Sequence, residues 1–179
     1  MDAMGFGEKW RKWIKVMLIS GFSSILVNGS PTEEFRLERG LRQGDPLSPF
    51  LFTLIMEGLS LAIRTAEAGN YLKGIKVGND ELFLTHLLFA DDAVFMTEWN
   101  LDNALSLLRI LHCFRRVSGL TVNMDKSNLY GIGVNKEDIE AMSQIMGCKM
   151  GAFPTTFLGI PIGINMNSRG VRDAVWCGL

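Results

Sequence analysis

FLTHLLFADDAVFMTEWN, from Phe83 to Asn100, sets two adjacent aspartates, Asp91 and Asp92, between two apolar, strand-like runs. Leu82 to Phe89 and Ala93 to Met96 read as buried strands, and strands this apolar rarely admit charge without a partner. Carboxylates at the tip of such a hairpin repel each other and stand close to desolvating walls. A divalent cation relieves that repulsion, because hard oxygen ligands at short range suit Mg²⁺. Taken alone, the dipeptide reads more plainly as a solvated turn. Its company decides.

Upstream lies RQGDPLSP, Arg42 to Pro49. Gly44, Pro46 and Pro49 forbid regular structure through the loop, and Pro49 suits the first position of a helix with Ser48 as its N-cap. Apolar residues then recur at Leu51, Leu54, Ile55, Leu59, Ala62, Ile63 and Ala66, which is helical spacing. A loop leading into a core helix explains Ser48-Pro49 but not Arg42-Gln43-Gly44. Exposed amide N–H groups, a carboxamide and a guanidinium suit a loop that holds a nucleotide or template against a helix N-terminus.

Two further blocks follow in order: SGLTVNMDKSNLYGI, Ser118 to Ile132, and FLGIPIG, Phe157 to Gly163. With RQGDPLSP and FADD they make the chain resemble the palm of a reverse transcriptase of the non-LTR (LINE-type) retrotransposon branch, most like its plant members. The resemblance runs from about Gly5 to Ile164. Each block is weak alone; together and in order they are strong. The resemblance implies an RNA-directed DNA polymerase that extends a primer 3′ end by phosphoryl transfer assisted by two Mg²⁺ ions. Its partners would be an RNA template, a DNA primer and deoxynucleoside triphosphates. By residue-for-residue match Asp91 is a metal ligand, and Asp92 its neighbour turned toward the metal or the primer end. Arg42, Gln43 and Gly44 meet the incoming nucleotide and template. Lys126 lies near the pyrophosphate, with a surface lysine in a turn as the plainer alternative. Leu158, Gly159 and Ile160 press on the primer backbone as a primer grip, while Phe89 and Ala90 set packing.

One block of the family pattern has no counterpart here. The family's first metal-binding aspartate sits in a strand before the segment matching Gly5-Phe6-Gly7, and neither Asp2 nor Glu8 carries its surroundings. The fingers segment has no match either, and Asn165 to Leu179 stops where a thumb would begin. The expected division is a partial palm over residues 1–164 and a truncated tail over 165–179. In a palm the absent strand pairs beside the aspartate hairpin, so its loss is expected to leave an apolar sheet edge open to aggregation. Loss of such a catalytic group commonly costs ~10³-fold or more in rate. The expectation is a poorly soluble chain that does not extend a primer by itself. The alternative is a non-catalytic retrotransposon remnant or a domesticated nucleic-acid-binding scaffold. A small RNA-binding sheet module ranks below both, since the strands offer no clear pair of exposed aromatics for base stacking.

A chain of 179 residues with 47% hydrophobic and 21% charged residues can bury a real core as a single unit. The formal net charge of −1 argues neither for nor against nucleic acid. Lys9, Arg11, Lys12 and Lys15 read as a solvated face, whereas Arg36, Arg39 and Arg42, which lead toward Gln43-Gly44, read equally as a solvated face or as groups that meet phosphate. Cys113, Cys148 and Cys177 are widely spaced, which argues against a disulfide framework or zinc site and fits an intracellular, reducing setting. No apolar run reads as long enough for a membrane span, and His86 and His112 read as packing or surface residues.

The pattern predicts helices over Glu8 to Ile19, from Pro49 to near Gly69, from Asn100 to near Ser118-Gly119, and from Asn135 to Met146. Trp10, Trp13, Ile14 and Met17 form the expected core stripe of the first. Strands are expected at Ser24 to Val27 and Phe35 to Glu38 around Asn28-Gly29, at Gly74 to Val77, and at Leu120 to Asn123 and Ser127 to Ile132. The class is α+β: a palm-like antiparallel sheet with helices mostly on one face.

Overall fold

The computed structural model describes residues 1–2, 4–37, 44–78, 82–162 and 173–177, and the chain divides into two compact units, Met1–Asp45 and Pro46–Leu179. The first unit begins with α1 (Glu8–Ile19), which has the predicted bounds. Lys12 pairs with Glu8 one turn back at 2.8 Å, Arg11 with Asp2 at 2.8 Å, and Lys9 lies 5.1 Å from the Trp13 ring centroid. These basic residues therefore engage their own unit on a solvated face. Of the expected core stripe only Ile14 is buried; Trp13 and Met17 stay 57% and 52% exposed. A unit this small has too little interior to cover an entire aromatic stripe.

Four short strands follow among the described residues of that unit: β1 (Phe22–Ser23), β2 (Leu26–Val27), β3 (Ser30–Pro31) and β4 (Phe35–Arg36). Val27 pairs with Ser30 across Asn28 and Gly29, whose φ values of 50° and 83° are both left-handed, as a type I′ turn requires. The strand after the turn is thus Ser30–Pro31, not the predicted Phe35 to Glu38. Phe35–Arg36 pairs farther out, with β1. The turn chemistry forced immediate pairing where a longer loop was expected.

The second unit opens with α2 (Ser48–Ala68), which ends at Gly69 as predicted. Its N-cap is Leu47, so Ser48 lies in the first turn instead of capping it. Pro49 sits where a missing N–H costs no helical bond. By length and composition α2 could cross a membrane, contrary to the sequence expectation. Its Met56, Leu59 and Ile63 nevertheless pack into the core of this unit, and core helices of soluble proteins pass the same test.

Next come β5 (Ile75–Val77), β6 (Leu82–Leu84), β7 (His86–Phe89) and β8 (Asp92–Glu98). The run expected as one buried strand, Leu82 to Phe89, is two, broken at Thr85. β6 pairs with β5 in a separate ribbon, and β7 pairs with β8. Leu82, Phe83, Leu87 and Phe89 are 47–62% exposed because the ribbon is two-stranded and β7 is a sheet edge. The expectation for Ala93 to Met96 holds: all four are at most 7% exposed.

α3 (Leu101–Ser118) follows, capped by the Asn100 side chain, which accepts from Asn103 N–H at 2.7 Å, and closed by left-handed Gly119. Residues 120–123 are irregular, not the predicted strand. The turn at Met124-Asp125-Lys126 is held instead by wholly buried Ser127, whose hydroxyl donates to Asn123 O at 2.8 Å. β9 (Asn128–Ile132), α4 (Lys136–Met146), β10 (Lys149–Met150), β11 (Thr155–Phe157), β12 (Ile160–Ile162) and β13 (Asp173–Cys177) complete the chain. Asn135 caps α4 through Asp138 N–H and Gly147 stops it, both as predicted.

The main sheet has the order β10-β9-β13-β8-β7, antiparallel throughout except for the parallel pair β10-β9. β8 and β9 run parallel, joined by α3, with β13 between them and antiparallel to both. β8 is therefore paired on both sides, and the expected open edge beside the aspartate hairpin is filled by Asp173–Cys177. Met56, Leu59 and Ile63 of α2, Leu107 and Leu111 of α3 and Met146 of α4 form one cluster with Ala93, Phe95 and Leu129. The three helices share one face of the sheet. A Cβ on Gly131 would lie 2.7 Å from Ile139 Cγ1, which is why α4 approaches β9 so closely there.

His86 ties β7 to α2. Its Nε2 lies 2.8 Å from the Ser60 hydroxyl and its Nδ1 3.0 Å from the Thr85 hydroxyl. Burial holds the imidazole below its ordinary value of 6.5, Arg64 acts in the same direction, and Glu57 opposes them. The unfolded chain then takes up this proton more readily than the folded one. Stability is expected to be fully present above about pH 6.5 and to fall as pH drops below it. His86→Asn should flatten that slope in urea titrations run across the interval; an unchanged slope would assign it to other groups.

Candidate active site

Phe89 pairs with Asp92, so β7 and β8 are joined by the two-residue turn Ala90-Asp91. Ala90 has φ 51°, and it alone of the two is left-handed, the pattern of a type II′ turn that glycine normally fills. An alanine there stores strain at the point that presents the carboxylates. Ala90→Gly is expected to raise unfolding free energy by roughly 0.5–1 kcal/mol while loosening the aim of Asp91. Chemical denaturation measures the first effect and backbone relaxation at the tip the second.

Asp91 and Asp92 are both exposed, and neighbouring Phe89 is 62% exposed. Among the described residues no desolvating wall encloses the tip: burial along β8 begins only at Ala93, because the helices cover the strand and not its start. The carboxylates stand in water.

Register brings a second predicted residue to the same end of the sheet. Cys177 pairs with Val94 of β8 on one side and with Asn128 of β9 on the other. Val94 and Asn128 are thus level, and so are the chain segments entering their strands, Asp91-Asp92 and Lys126-Ser127. Two strand spacings separate them, roughly 10 Å. Lys126 is exposed, its backbone N–H held by Asn123 O at 3.1 Å and Asn123 Oδ1 at 3.2 Å. Lys149, level with Asn128 on the far side, adds an exposed cation at this end. No local signal singled out Lys149; only the strand register does.

Leu158 and Gly159, with φ 52° and 77°, form a type I′ turn between Phe157 and Ile160, and Leu158 is 46% exposed. The base of that hairpin is anchored to β9, with Tyr130 Oη 3.0 Å from Thr155 Oγ1 and the Tyr130 and Phe153 ring centroids 5.0 Å apart. Gly44 is an exposed turn residue of the first unit with φ 84°. Arg42 and Gln43 lie outside the described residues.

The turn presents two exposed carboxylates, Asp91 and Asp92. That donor set fits Mg²⁺, which characteristically takes one or two carboxylates and completes its shell with water and substrate phosphate. Among the described residues no set of three or more His, Cys, Asp or Glu side chains gathers into an all-protein cage.

Comparison with known proteins shows the family of the chain. The family model described as reverse transcriptase (RNA-dependent DNA polymerase) matches residues 1–162, and the chain belongs to that family. Its relatives set it in the non-LTR retrotransposon branch. It is 35% identical over 132 residues to the retrovirus-related Pol polyprotein from type-2 retrotransposable element R2DM of Drosophila melanogaster, covering 74% of this chain and 12% of that protein. It is 28% identical over 127 residues to the Pol polyprotein from a type-1 R2 element of Popillia japonica, covering 70% of this chain and 20% of that protein. An uncharacterised mitochondrial protein of Arabidopsis thaliana is 42% identical over 110 residues, 61% of this chain and 88% of that protein. The chain thus spans only a small part of the Pol polyproteins it matches.

Proposed function

We propose that this chain is part of the palm of an RNA-directed DNA polymerase that adds deoxynucleotides to a primer 3′ end. Residues 1–164 would supply palm segments, and Asp173–Cys177 the strand that lies between β8 and β9. The observation that carries this reading is that Asp91-Asp92 and Lys126 lead into two strands, β8 and β9, held in register through β13 in one sheet. Asp91, with Asp92 beside it, would hold Mg²⁺ together with substrate phosphate. When bound, the ions activate the primer hydroxyl and neutralise charge on the triphosphate. Lys126, exposed in the turn before β9, would stabilise or protonate the leaving pyrophosphate. Arg42, Gln43 and Gly44 would contact nucleotide and template, and the turn at Leu158-Gly159, running into Ile160, would press on the primer backbone.

A second reading, a non-catalytic nucleic-acid-binding scaffold, is favoured by one observation. Among the described residues no third potential ligand joins the two aspartates. On the first reading, Mn²⁺ titrated into the purified chain with primed RNA template gives an electron paramagnetic resonance signature of bound ion. The pair Asp91→Asn and Asp92→Asn should abolish it. Equal Mn²⁺ binding by both proteins removes the metal site. Primer extension by the chain alone is expected to be undetectable; Mg²⁺-dependent extension lost in Asp91→Ala would overturn that expectation. Retarded migration of primed RNA, unaffected by Mg²⁺ or by the aspartate substitutions, would select the scaffold.

A further inference from the structure

α3 packs against both α2 and α4 as well as onto the sheet. Its buried residues are Asn103, Leu107 and Leu111, so the opposite side of the helix meets solvent. Arg109, His112 and Arg116 recur there at i, i+3 and i+7 and are exposed; Arg115, also exposed, widens the stripe. From Arg109 to Arg116 the stripe runs roughly 10 Å along the axis. α3 sets three arginines against a single carboxylate, Asp102 in its first turn, a formal charge of +2 within a chain of −1. Elsewhere basic side chains find acids: Arg11 with Asp2, Lys12 with Glu8, Arg64 with Glu57 and Lys73 with Glu98. Among the described residues none of the three arginines of α3 has an ion pair. The helix dipole accounts for Arg115 and Arg116 in the last turn, but its field fades within that turn and does not account for Arg109.

We propose that this stripe is a second nucleic-acid contact, which holds the phosphate backbone of double-helical RNA on the helix side of the sheet, apart from the Asp91-Asp92 turn. Charge complementarity selects the occupant. Guanidinium forks match phosphate oxygens two at a time and shed their water readily, and cations repeating along a helix suit a polyanion whose charges also repeat. Double-helical RNA is recognised through its shape, phosphates and ribose hydroxyls, contacts that need no base to be read. His112 adds a hydrogen-bond donor between the two arginines. Topology brings the stripe toward the catalytic end. α3 leaves the far end of β8 and returns the chain to the start of β9, which runs parallel to β8, so Arg116 lies nearer than Arg109 to the end where Asp92 and Asn128 open their strands. The inference rests on the reading that the chain handles RNA and is independent of any metal at the aspartates.

Fluorescence anisotropy of the full chain with an RNA hairpin that has no recessed 3′ end tests this without engaging a primer terminus. Arg109→Gln, Arg115→Gln and Arg116→Gln together should make the fall of log affinity with log salt shallower by about 2–3, near 0.9 per phosphate contact. The advantage of the unsubstituted chain should therefore shrink about 40-fold between roughly 50 and 200 mM salt. The same change at Lys9, Lys12 and Lys15 of α1 should leave the slope as it was; an equal loss there would mean that net charge alone is read, which overturns the inference. An unchanged slope in the arginine variant also overturns it, and gives the stripe to an acidic protein segment or to solvent. If the unsubstituted chain binds no RNA, the RNA reading falls and the inference with it. Phenylglyoxal modification guards against a misfolded variant. In the unsubstituted chain bound RNA should shield Arg109 and Arg116, and equal reaction with and without RNA overturns the inference.

Discussion

Phe95→Ala should lower the stability of the second unit by about 3–5 kcal/mol, a loss comparable to the whole stability of many domains. Phe95 is 1% exposed at the centre of β8, and its ring belongs to the cluster that joins all three helices of the unit to the sheet. Truncation removes buried apolar area and leaves a void that Leu59, Ile63 and Leu107 cannot fill without moving off their own helices. The same strand starts at Asp92, so the carboxylate turn should lose its fixed position with the core. Urea unfolding followed by circular dichroism measures the effect, and Phe95→Leu should recover a large part of it. A loss below about 1 kcal/mol would mean that the cluster is not packed around this ring.

Asn103→Ala is expected to cost about 2–4 kcal/mol although it removes little apolar surface. The side chain is 4% exposed and joins three segments. Its Oδ1 accepts from Lys73 N–H at 3.0 Å, and its Nδ2 donates to Glu98 O at 3.0 Å and to Lys73 O at 3.4 Å. Alanine leaves a buried donor and acceptors without this partner, and each such group carries its own desolvation cost. Lys73 N–H should then exchange with solvent faster by about the ratio its lost protection implies. Hydrogen exchange reads that amide directly, while urea unfolding gives the global loss. Unaltered exchange at Lys73 would show that its protection comes from elsewhere.

Local chemistry made much of the fold legible. Asn100, Asn135, Gly119 and Gly147 mark helix ends because capping and left-handed closure are decided within a few residues. Ala93 to Met96 was legible as buried because its apolar run is unbroken. Leu82 to Phe89 is similarly apolar but covered on one side only, and cover depends on elements distant in sequence. Asp173–Cys177 carried no punctuation that would mark it as a central strand; its slot exists only once β8 and β9 lie parallel. The candidate site divides along the same line. Asp91-Asp92 could be assigned to a hairpin turn from the residues alone. That Lys126 stands level with them follows from two ladders through β13, and no spacing in the sequence encodes it.

The central position of β13 also bears on how the protein is made. Ribosomes add residues at about 5–20 per second, and domains begin to fold as they emerge. β7, β8, α3 and β9 leave the exit tunnel before Asp173 has been added, with the facing edges of β8 and β9 still unpaired. During that interval the nascent chain offers a binding site for holdase chaperones on the very edges that β13 later closes. Slowing translation ahead of residue 173 should lengthen chaperone occupancy, whereas slowing it earlier, within α2, should not.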